Sequence, residues 1–257
     1  MNGALRLRFA KTGKAVYFSH LDLMATLRRA ILRTGVRMRY SEGFNPHPII
    51  SVALPLPVGC ASIYELVDFE YEDGLPEGDL RALLNAALPE GLKALEVYAP
   101  QGKFRNIAWL DVEGELRFQG DLRPGLPDAL TRYFRSESIV ITKKTKSGNV
   151  EFDVAPYVID ATFSLGSGEG LTGEGLTGEG SPVEGEDGSA ATPGGEPTID
   201  EEKRGVLLVR ARISAQNPTV STGNIVTAIA SAPGGAQPVA AMFTRLQARD
   251  GGMGVFR

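Results

Sequence analysis

The sequence predicts an α+β protein made of two ferredoxin-like units, each with the element order β-α-β-β-α-β and an antiparallel sheet. Three observations lead to this prediction. Residues 5–9, LRLRF, alternate apolar and basic side chains as a half-buried strand does. A helix start at Ser19 and a glycine stop at Gly35 follow this strand. The same succession of elements recurs, more faintly, after residue 102.

The first predicted unit spans residues 1–102. Its elements are a strand at 5–9, a helix at 19–35, strand-like segments at 36–40, 49–57 and 64–72, a helix at 77–88 and a strand at 92–98. Pro55 and Pro57 lie between the last two strand-like segments and lack the N–H that a ladder needs, so one bent strand and two separate strands both stay open.

The second predicted unit spans residues 103–257. We expect strands at 108–118, 158–165, 205–213 and 238–247, helices at 126–135 and 222–231, and a hairpin of strands 139–145 and 149–154 that turns at KSGN. Residues 165–204 form an insertion that repeats GLTGE and is rich in glycine and glutamate. It carries too little apolar surface to offset its ordering entropy, so we expect it to be disordered and removable.

The composition limits the classes of function. Of the net charge of −4, residues 165–202 contribute −10 and the rest of the chain +6, and residues 1–40 carry nine basic side chains against one acidic one. The single cysteine, Cys60, excludes an intramolecular disulfide, and a reducing, cytoplasmic location fits best. Prolines interrupt both long uncharged stretches, 43–64 and 213–244, so we expect no membrane span.

Two polar segments are the candidate site. If strand 1 and the strand at 36–40 are parallel, the chain topology brings SHLD (19–22) beside SEGFNPHP (41–48), which together hold the only two histidines. The polar candidates are Ser19, His20, Asp22, Ser41, Glu42, Asn45 and His47, with Phe44 in the same loop. The basic candidates are Arg6, Arg8, Arg37 and Arg39.

Four interpretations of these segments compete. Binding of a phosphate, a carboxylate or a partner backbone at a helix N-terminus beside the arginines is favoured. A metal site on His20 and His47 has suitable ligand types but no established spacing, so no metal is assigned. Acid–base catalysis by a histidine beside Asp22 or Glu42 is chemically feasible, but catalytic residues stay unknown. The structural alternative is a stiff turn with solvated histidines and a capped helix.

Two stretches carry a family resemblance: YFSHLDLMATLRRAILRTG at 17–35 and YSEGFNPHPIISVALPLPVG at 40–59. They resemble the bacterial radical-SAM-linked protein family, a domain of unknown function whose members are encoded beside, or fused to, a cobalamin-domain radical S-adenosylmethionine protein. The resemblance is specific over residues 4–100. It departs from the family pattern at Ile49, where a basic residue is expected, and in the Gly/Glu repeat.

The resemblance implies a non-catalytic accessory protein that binds substrate for, or docks on, the radical enzyme encoded nearby. The chain itself is expected to hold no cofactor, because one cysteine cannot supply a CxxxCxxC cluster motif and no cobalamin motif is present. RNA is a candidate substrate by fold analogy alone. The alternatives are a stand-alone RNA-binding or RNA-processing module and a metal-dependent hydrolase.

Overall fold

The structure is a computed structural model that describes residues 2–145, 148–166 and 205–257. It is a mixed α+β fold with a mostly antiparallel sheet and, in the described residues, four α-helices. The expected insertion at 165–204 lies outside the described residues, apart from Leu165 and Gly166 at the end of a strand. None of the helices in the described ranges is long and apolar enough to cross a membrane.

Six elements form the first half. They are β1 (Gly3–Lys11), α1 (His20–Arg33), β2 (Ile50–Val52), β3 (Ala61–Tyr71), α2 (Leu80–Ala87) and β4 (Leu92–Tyr98). The order β4-β1-β3-β2 is antiparallel throughout. Leu7 and Phe9 of β1 pack with Leu27 of α1 and Leu84 of α2 in one hydrophobic cluster, as the alternation of residues 5–9 predicts.

Eight elements form the second half. They are β5 (Ile107–Arg117), α3 (Leu126–Tyr133), β6 (Val140–Thr145), β7 (Gly148–Asp153), β8 (Val158–Leu165), β9 (Val206–Ser214), α4 (Thr222–Ser231) and β10 (Ala240–Asp250). β6 and β7 pair antiparallel as a separate two-stranded sheet, as predicted, while Lys146 and Ser147 of the expected KSGN turn lie outside the described residues. The other strands follow the order β10-β5-β9-β8 and pack on α3 and α4 through a second hydrophobic cluster.

The two halves share one continuous sheet. β3 and β10 join them as a parallel pair, with Ala61 opposite Thr244 and Ser62 opposite Arg245, while every other pair in the large sheet is antiparallel. The long sheet therefore runs β4-β1-β3-β10-β5-β9-β8. This parallel join comes from residues about 180 positions apart, which sequence periodicity does not report.

The prediction for residues 36–57 was wrong in part. The strand expected at 36–40 is reduced to isolated bridges, Met38 with Tyr71 and Tyr40 with Pro48, and the strand expected at 49–57 shortens to β2. Pro48 and Pro55 bound β2 on both sides, and a proline has no N–H to donate to a ladder, so the strand expected at 49–57 stays short. β3 starts at Ala61, so the two segments are separate strands that pair with each other.

Gly114 offers a test of the β5–β10 packing. It lies opposite Phe243, and a Cβ at position 114 would clash with the Phe243 ring, which is buried. We expect Gly114→Ala to lower the free energy of unfolding by about 1–3 kcal/mol, because the ring has little room to move. Urea denaturation measures this difference. Gly125→Ala is the matched control, since nothing lies within 4 Å of its Cβ position, and an equal loss in both variants would contradict the packing argument.

Candidate functional site

The first signature segment, residues 19–22, forms the start of α1. The Asp22 N–H donates to Ser19 Oγ at 3.2 Å, which makes Ser19 the N-cap as predicted. The Ser19 hydroxyl in turn donates to Asp22 Oδ2 at 2.6 Å. His20 is exposed and makes no hydrogen bond or ion pair with any described residue. The polar atoms of this segment therefore serve mainly to begin the helix.

The second signature segment, residues 41–48, is a closed hairpin loop. The Ser41 N–H donates to the His47 carbonyl at 2.9 Å, and the His47 N–H donates to Ser41 Oγ at 3.1 Å. The Ser41 hydroxyl also lies 2.9 Å from His47 Nδ1. Glu42 and Asn45 are exposed, and the Phe44 side chain at the tip is exposed over its whole surface, at 111%. The loop thus has a rigid base and an aromatic tip.

The expectation that these two segments meet on one rim was wrong in its topological premise. The loop precedes β2 instead of following a strand at 36–40, and its base is held at Glu70, near the end of β3. Residues 12–19 instead follow Lys11, which lies opposite Ser62 at the other end of the β1–β3 pair. Glu70 lies opposite Ala4, so the two anchors are seven positions apart on β1, roughly 20 Å along the sheet. No hydrogen bond or ion pair joins the two segments in the described part of the chain.

The four candidate arginines each form an ion pair. The pairs are Arg6 with Asp68 at 2.7 Å, Arg8 with Glu96 at 2.9 Å, Arg37 with Asp73 at 2.7 Å and Arg39 with Glu70 at 3.0 Å. Arg6 is fully buried between the rings of Phe104 and Phe256, so it is not on the surface that the sequence suggested. The local excess of positive charge expected over residues 1–40 is therefore partly neutralised by carboxylates of β3 and β4.

A buried ionic cluster, which sequence reasoning missed, lies at the join of the two halves. Arg245 Nη1 donates to Glu65 Oε1 at 2.8 Å and to the Leu54 carbonyl at 3.1 Å. Lys11 lies near Glu65, and its ammonium donates to the carbonyls of Val16 and Phe18 at 3.1 and 3.2 Å. Glu65 and Lys11 are each 1% exposed. We call these three charged residues the junction cluster.

Burial dominates the protonation of the junction cluster. Desolvation lowers the pKa of Lys11 from its ordinary 10.5, and the nearby Glu65 carboxylate only partly opposes this. Desolvation also raises the pKa of Glu65. The positive charges of Arg245 and Lys11 and a hydrogen bond from Ser62 act in the opposite direction and lower it. The half-buried thiol of Cys60, beside the cluster, has its pKa raised for the same reason. Because Lys11 holds the chain at Val16 and Phe18, the cluster fixes the segment that leads into Ser19.

Two surfaces next to the signature segments are apolar. Tyr17 is 72% exposed, Leu21 78% and Val58 60%, and the Gly59 N–H donates to the Val16 carbonyl at 2.9 Å, which brings residues 58 and 17 close. We call Tyr17, Leu21 and Val58 the apolar rim. Phe44 is the second apolar spot. Large apolar side chains left in water near one another are typical of a contact surface.

Metal binding finds no support among the sequence-predicted residues. In the described ranges, no group of three or more histidine, cysteine, aspartate or glutamate side chains could hold a metal ion. The segment with His47 is anchored at Glu70, and the chain that leads to His20 leaves β1 at Lys11, opposite Ser62 at the other end of the β1–β3 pair.

The structure defines an α+β protein that has a capped helix start, a closed polar loop, an exposed apolar rim and a buried junction cluster. The chain belongs to the DUF2344 family, described as uncharacterized proteins conserved in bacteria, whose family model matches residues 4–180. The match includes both signature segments, the apolar rim and two residues of the junction cluster, Lys11 and Glu65. No curated protein matches the chain.

The Glu65–Arg245 pair gives a stability prediction. Arg245→Met leaves the Glu65 carboxylate buried without its partner and should cost roughly 3–5 kcal/mol in the free energy of unfolding. The double variant Glu65→Gln, Arg245→Met should lose clearly less than the sum of the two single variants, as measured in a double-mutant cycle by urea denaturation. The control is Arg210→Met, whose pair with Glu113 is exposed and should be worth about 1 kcal/mol or less. Additive single effects would contradict the pairing.

Lys11 gives a pH prediction. Its pKa is lower in the folded state than in the unfolded chain. At any pH between the folded pKa and 10.5, the unfolded chain therefore binds more protons than the folded one. The free energy of unfolding rises with pH over this range. Lys11→Met removes this contribution. The unfolding free energy of the parent minus that of the variant should therefore increase from neutral pH toward 10.5, with Cys60→Ser in both chains to remove the thiol titration. A difference that stays flat or falls over this range would refute the assignment.

Proposed function

We propose that this protein is a non-catalytic docking partner of a radical S-adenosylmethionine enzyme. The observation that carries the proposal is the exposure of Phe44 and of the apolar rim within and beside the two signature segments. The resemblance of those segments to the radical-SAM-linked family supplies the class of partner. The single cysteine agrees with a role in which a second polypeptide holds the iron–sulfur cluster.

The separation of the two apolar spots is compatible with one partner. Anchors roughly 20 Å apart fit within an interface that buries about 800 Å² on each protein. The loop is held closed by Ser41 and His47, so Phe44 loses little conformational freedom when a partner pocket receives it. In this arrangement His47 acts by shaping the loop, and Ser19 and Asp22 act by fixing the helix that presents Leu21.

We also propose that each half is a ferredoxin-like unit. The support is the strand order, β4-β1-β3-β2 in the first half and β10-β5-β9-β8 in the second, with one helix after the first strand and one before the last. In this interpretation the β6–β7 hairpin is an addition to the second unit. The parallel β3–β10 pair then joins the third strand of one unit to the last strand of the other.

RNA as the substrate of the complex has weaker support on this chain. Arg37 and Arg39 lie on the surface but each faces a carboxylate, and Arg6 is buried. An RNA-binding surface gains its affinity from guanidinium and ammonium groups that release counterions from phosphates. Pairing with Asp73 and Glu70 reduces that gain. The docking proposal therefore does not depend on RNA.

The docking proposal predicts the behaviour of two single variants. Phe44→Gln and Leu21→Gln should each weaken binding to the radical enzyme encoded beside this gene by about tenfold or more, because each removes a large apolar contact. Pull-down of the co-expressed pair followed by titration measures the affinity. The control is Val140→Gln, which changes a side chain of 51% exposure in β6, a strand of the separate two-stranded sheet.

Three results would argue against docking through these spots. One is unchanged binding in both the Phe44 and Leu21 variants, and another is equal weakening in the Val140 control. The third is retention of the isolated chain on RNA, lost at high salt and on neutralising Arg37 and Arg39, without any binding to the enzyme. This last result would favour the stand-alone RNA-binding alternative.

A further inference from the structure

A solvent-open cavity of about 340 Å³ lies where the first half of the sheet meets the second. Four strands contribute to its lining, through Arg8 of β1, Tyr64 of β3, Glu96 of β4 and Gln247 of β10. Arg257 completes the polar part of the lining. None of these side chains belongs to the signature segments or to the junction cluster. We call this cavity the arginine pocket.

The charges of the arginine pocket are arranged around one carboxylate. Arg8 Nη2 donates to Glu96 Oε1 at 2.9 Å, and Arg257 Nη2 donates to Glu96 Oε2 at 3.3 Å. The hydrogen bond from Arg8 lowers the pKa of Glu96, so the carboxylate is ionised at neutral pH. Two guanidinium groups against one carboxylate leave the lining side chains with an excess of one positive charge.

The arginine pocket also has an excess of hydrogen-bond donors. Each guanidinium carries five N–H donors, and each of these two makes one hydrogen bond within the described residues. The Gln247 carbonyl oxygen accepts from Arg249 Nη2 at 3.1 Å, which leaves its amide N–H groups without a partner in that part of the chain. Donors without acceptors, beside an excess of guanidinium groups among the lining side chains, match an oxyanion.

The rest of the arginine pocket is apolar and fixed in position. Ile63, Leu246 and Val255 line it beside the arginines. The Tyr64 hydroxyl donates to the Phe256 carbonyl at 2.8 Å, and the Arg8 guanidinium lies 5.2 Å from the centre of the Tyr64 ring. Arg8 is therefore held from two sides, by Glu96 and by the ring, and needs little reordering to receive a ligand.

We propose that the arginine pocket binds a small organic phosphate. The phosphate oxygens accept from Arg8 and Arg257, and the organic part lies against Ile63, Leu246 and Val255. A phosphate fits better than a carboxylate, because it offers three oxygens to two guanidinium groups that can each donate in a bidentate manner. The volume suits a ligand at the small end of the usual range. This site is independent of the proposed docking function.

The test uses phenyl phosphate as the probe and isothermal titration calorimetry on the full chain at constant ionic strength. We expect saturable binding of phenyl phosphate, weaker binding of inorganic phosphate and none of phenol. Arg8→Gln and Arg257→Ala should each weaken phenyl phosphate binding by about tenfold. Glu96→Gln should instead strengthen it, because the carboxylate repels the anion. A purely structural role for Glu96 does not predict this gain.

Arg210→Ala is the matched control. Arg210 is an exposed arginine that pairs with Glu113 of β5 and lies outside the arginine pocket, so its loss should leave the affinity unchanged. Thermal unfolding of every variant separates lost binding from lost folding. The proposal is overturned by the absence of saturable phenyl phosphate binding, by inorganic phosphate binding as tightly as phenyl phosphate, by equal weakening in Arg210→Ala, or by weaker binding in Glu96→Gln.

Discussion

The parallel pairing of β3 with β10 is the constraint on which the rest of the structure depends. The ladder itself is short, with two aligned residue pairs, so the backbone alone gives little stability to the join. Side chains of one short run of β3 supply further bonds across it. Ser62 donates to the Arg245 carbonyl, Tyr64 donates to the Phe256 carbonyl, and Glu65 accepts from Arg245. Hydrogen bonds to buried charged groups are stronger than neutral ones, and Glu65–Arg245 is the charged pair in this set.

The same join determines where the first signature segment lies. Lys11 ends β1 next to Glu65, and its ammonium holds the carbonyls of Val16 and Phe18. A rearrangement of β3 against β10 would therefore move the chain just before Ser19, and with it the apolar rim. The second signature segment has a different support, because its base is held at Glu70 near the far end of β3. The two exposed apolar spots thus share one strand as their common scaffold.

The local elements were predictable from the sequence, whereas the contacts between distant ones were not. β4, β8 and α4 begin and end at the bounds expected from the sequence, 92–98, 158–165 and 222–231. Elements of this kind are set by local composition and periodicity, which a single sequence reports. The strand prediction for residues 36–57 was wrong in part. The composition of this segment favours strands, but its prolines lack the N–H groups that a strand donates to its neighbour.

The junction cluster escaped prediction for a physical reason. Charged side chains are almost always exposed, because burying a charge without a partner costs much free energy. The partner of Glu65 is Arg245, which lies 180 residues away in the sequence, so the sequence around Glu65 does not reveal it. One local signal was present. Lys11 continues the alternation of Leu5, Leu7 and Phe9 along β1. A charged residue therefore occupies a position at which the alternation predicts a core residue. Such a break in an apolar alternation indicates a buried ion pair, although it does not name the partner.

β3 and β10 also explain why a buried cluster and an open pocket can occur together at the join. Successive residues of a strand face opposite sides of a sheet, so β3 turns Glu65 toward the junction cluster and Tyr64 toward the arginine pocket. On β10 the register shifts between Arg245 and Gln247, and such a bulge redirects side chains. This shift lets Arg245 enter the buried cluster, while Leu246 and Gln247 both line the pocket. The interaction that joins the halves therefore also builds one wall of the cavity between them.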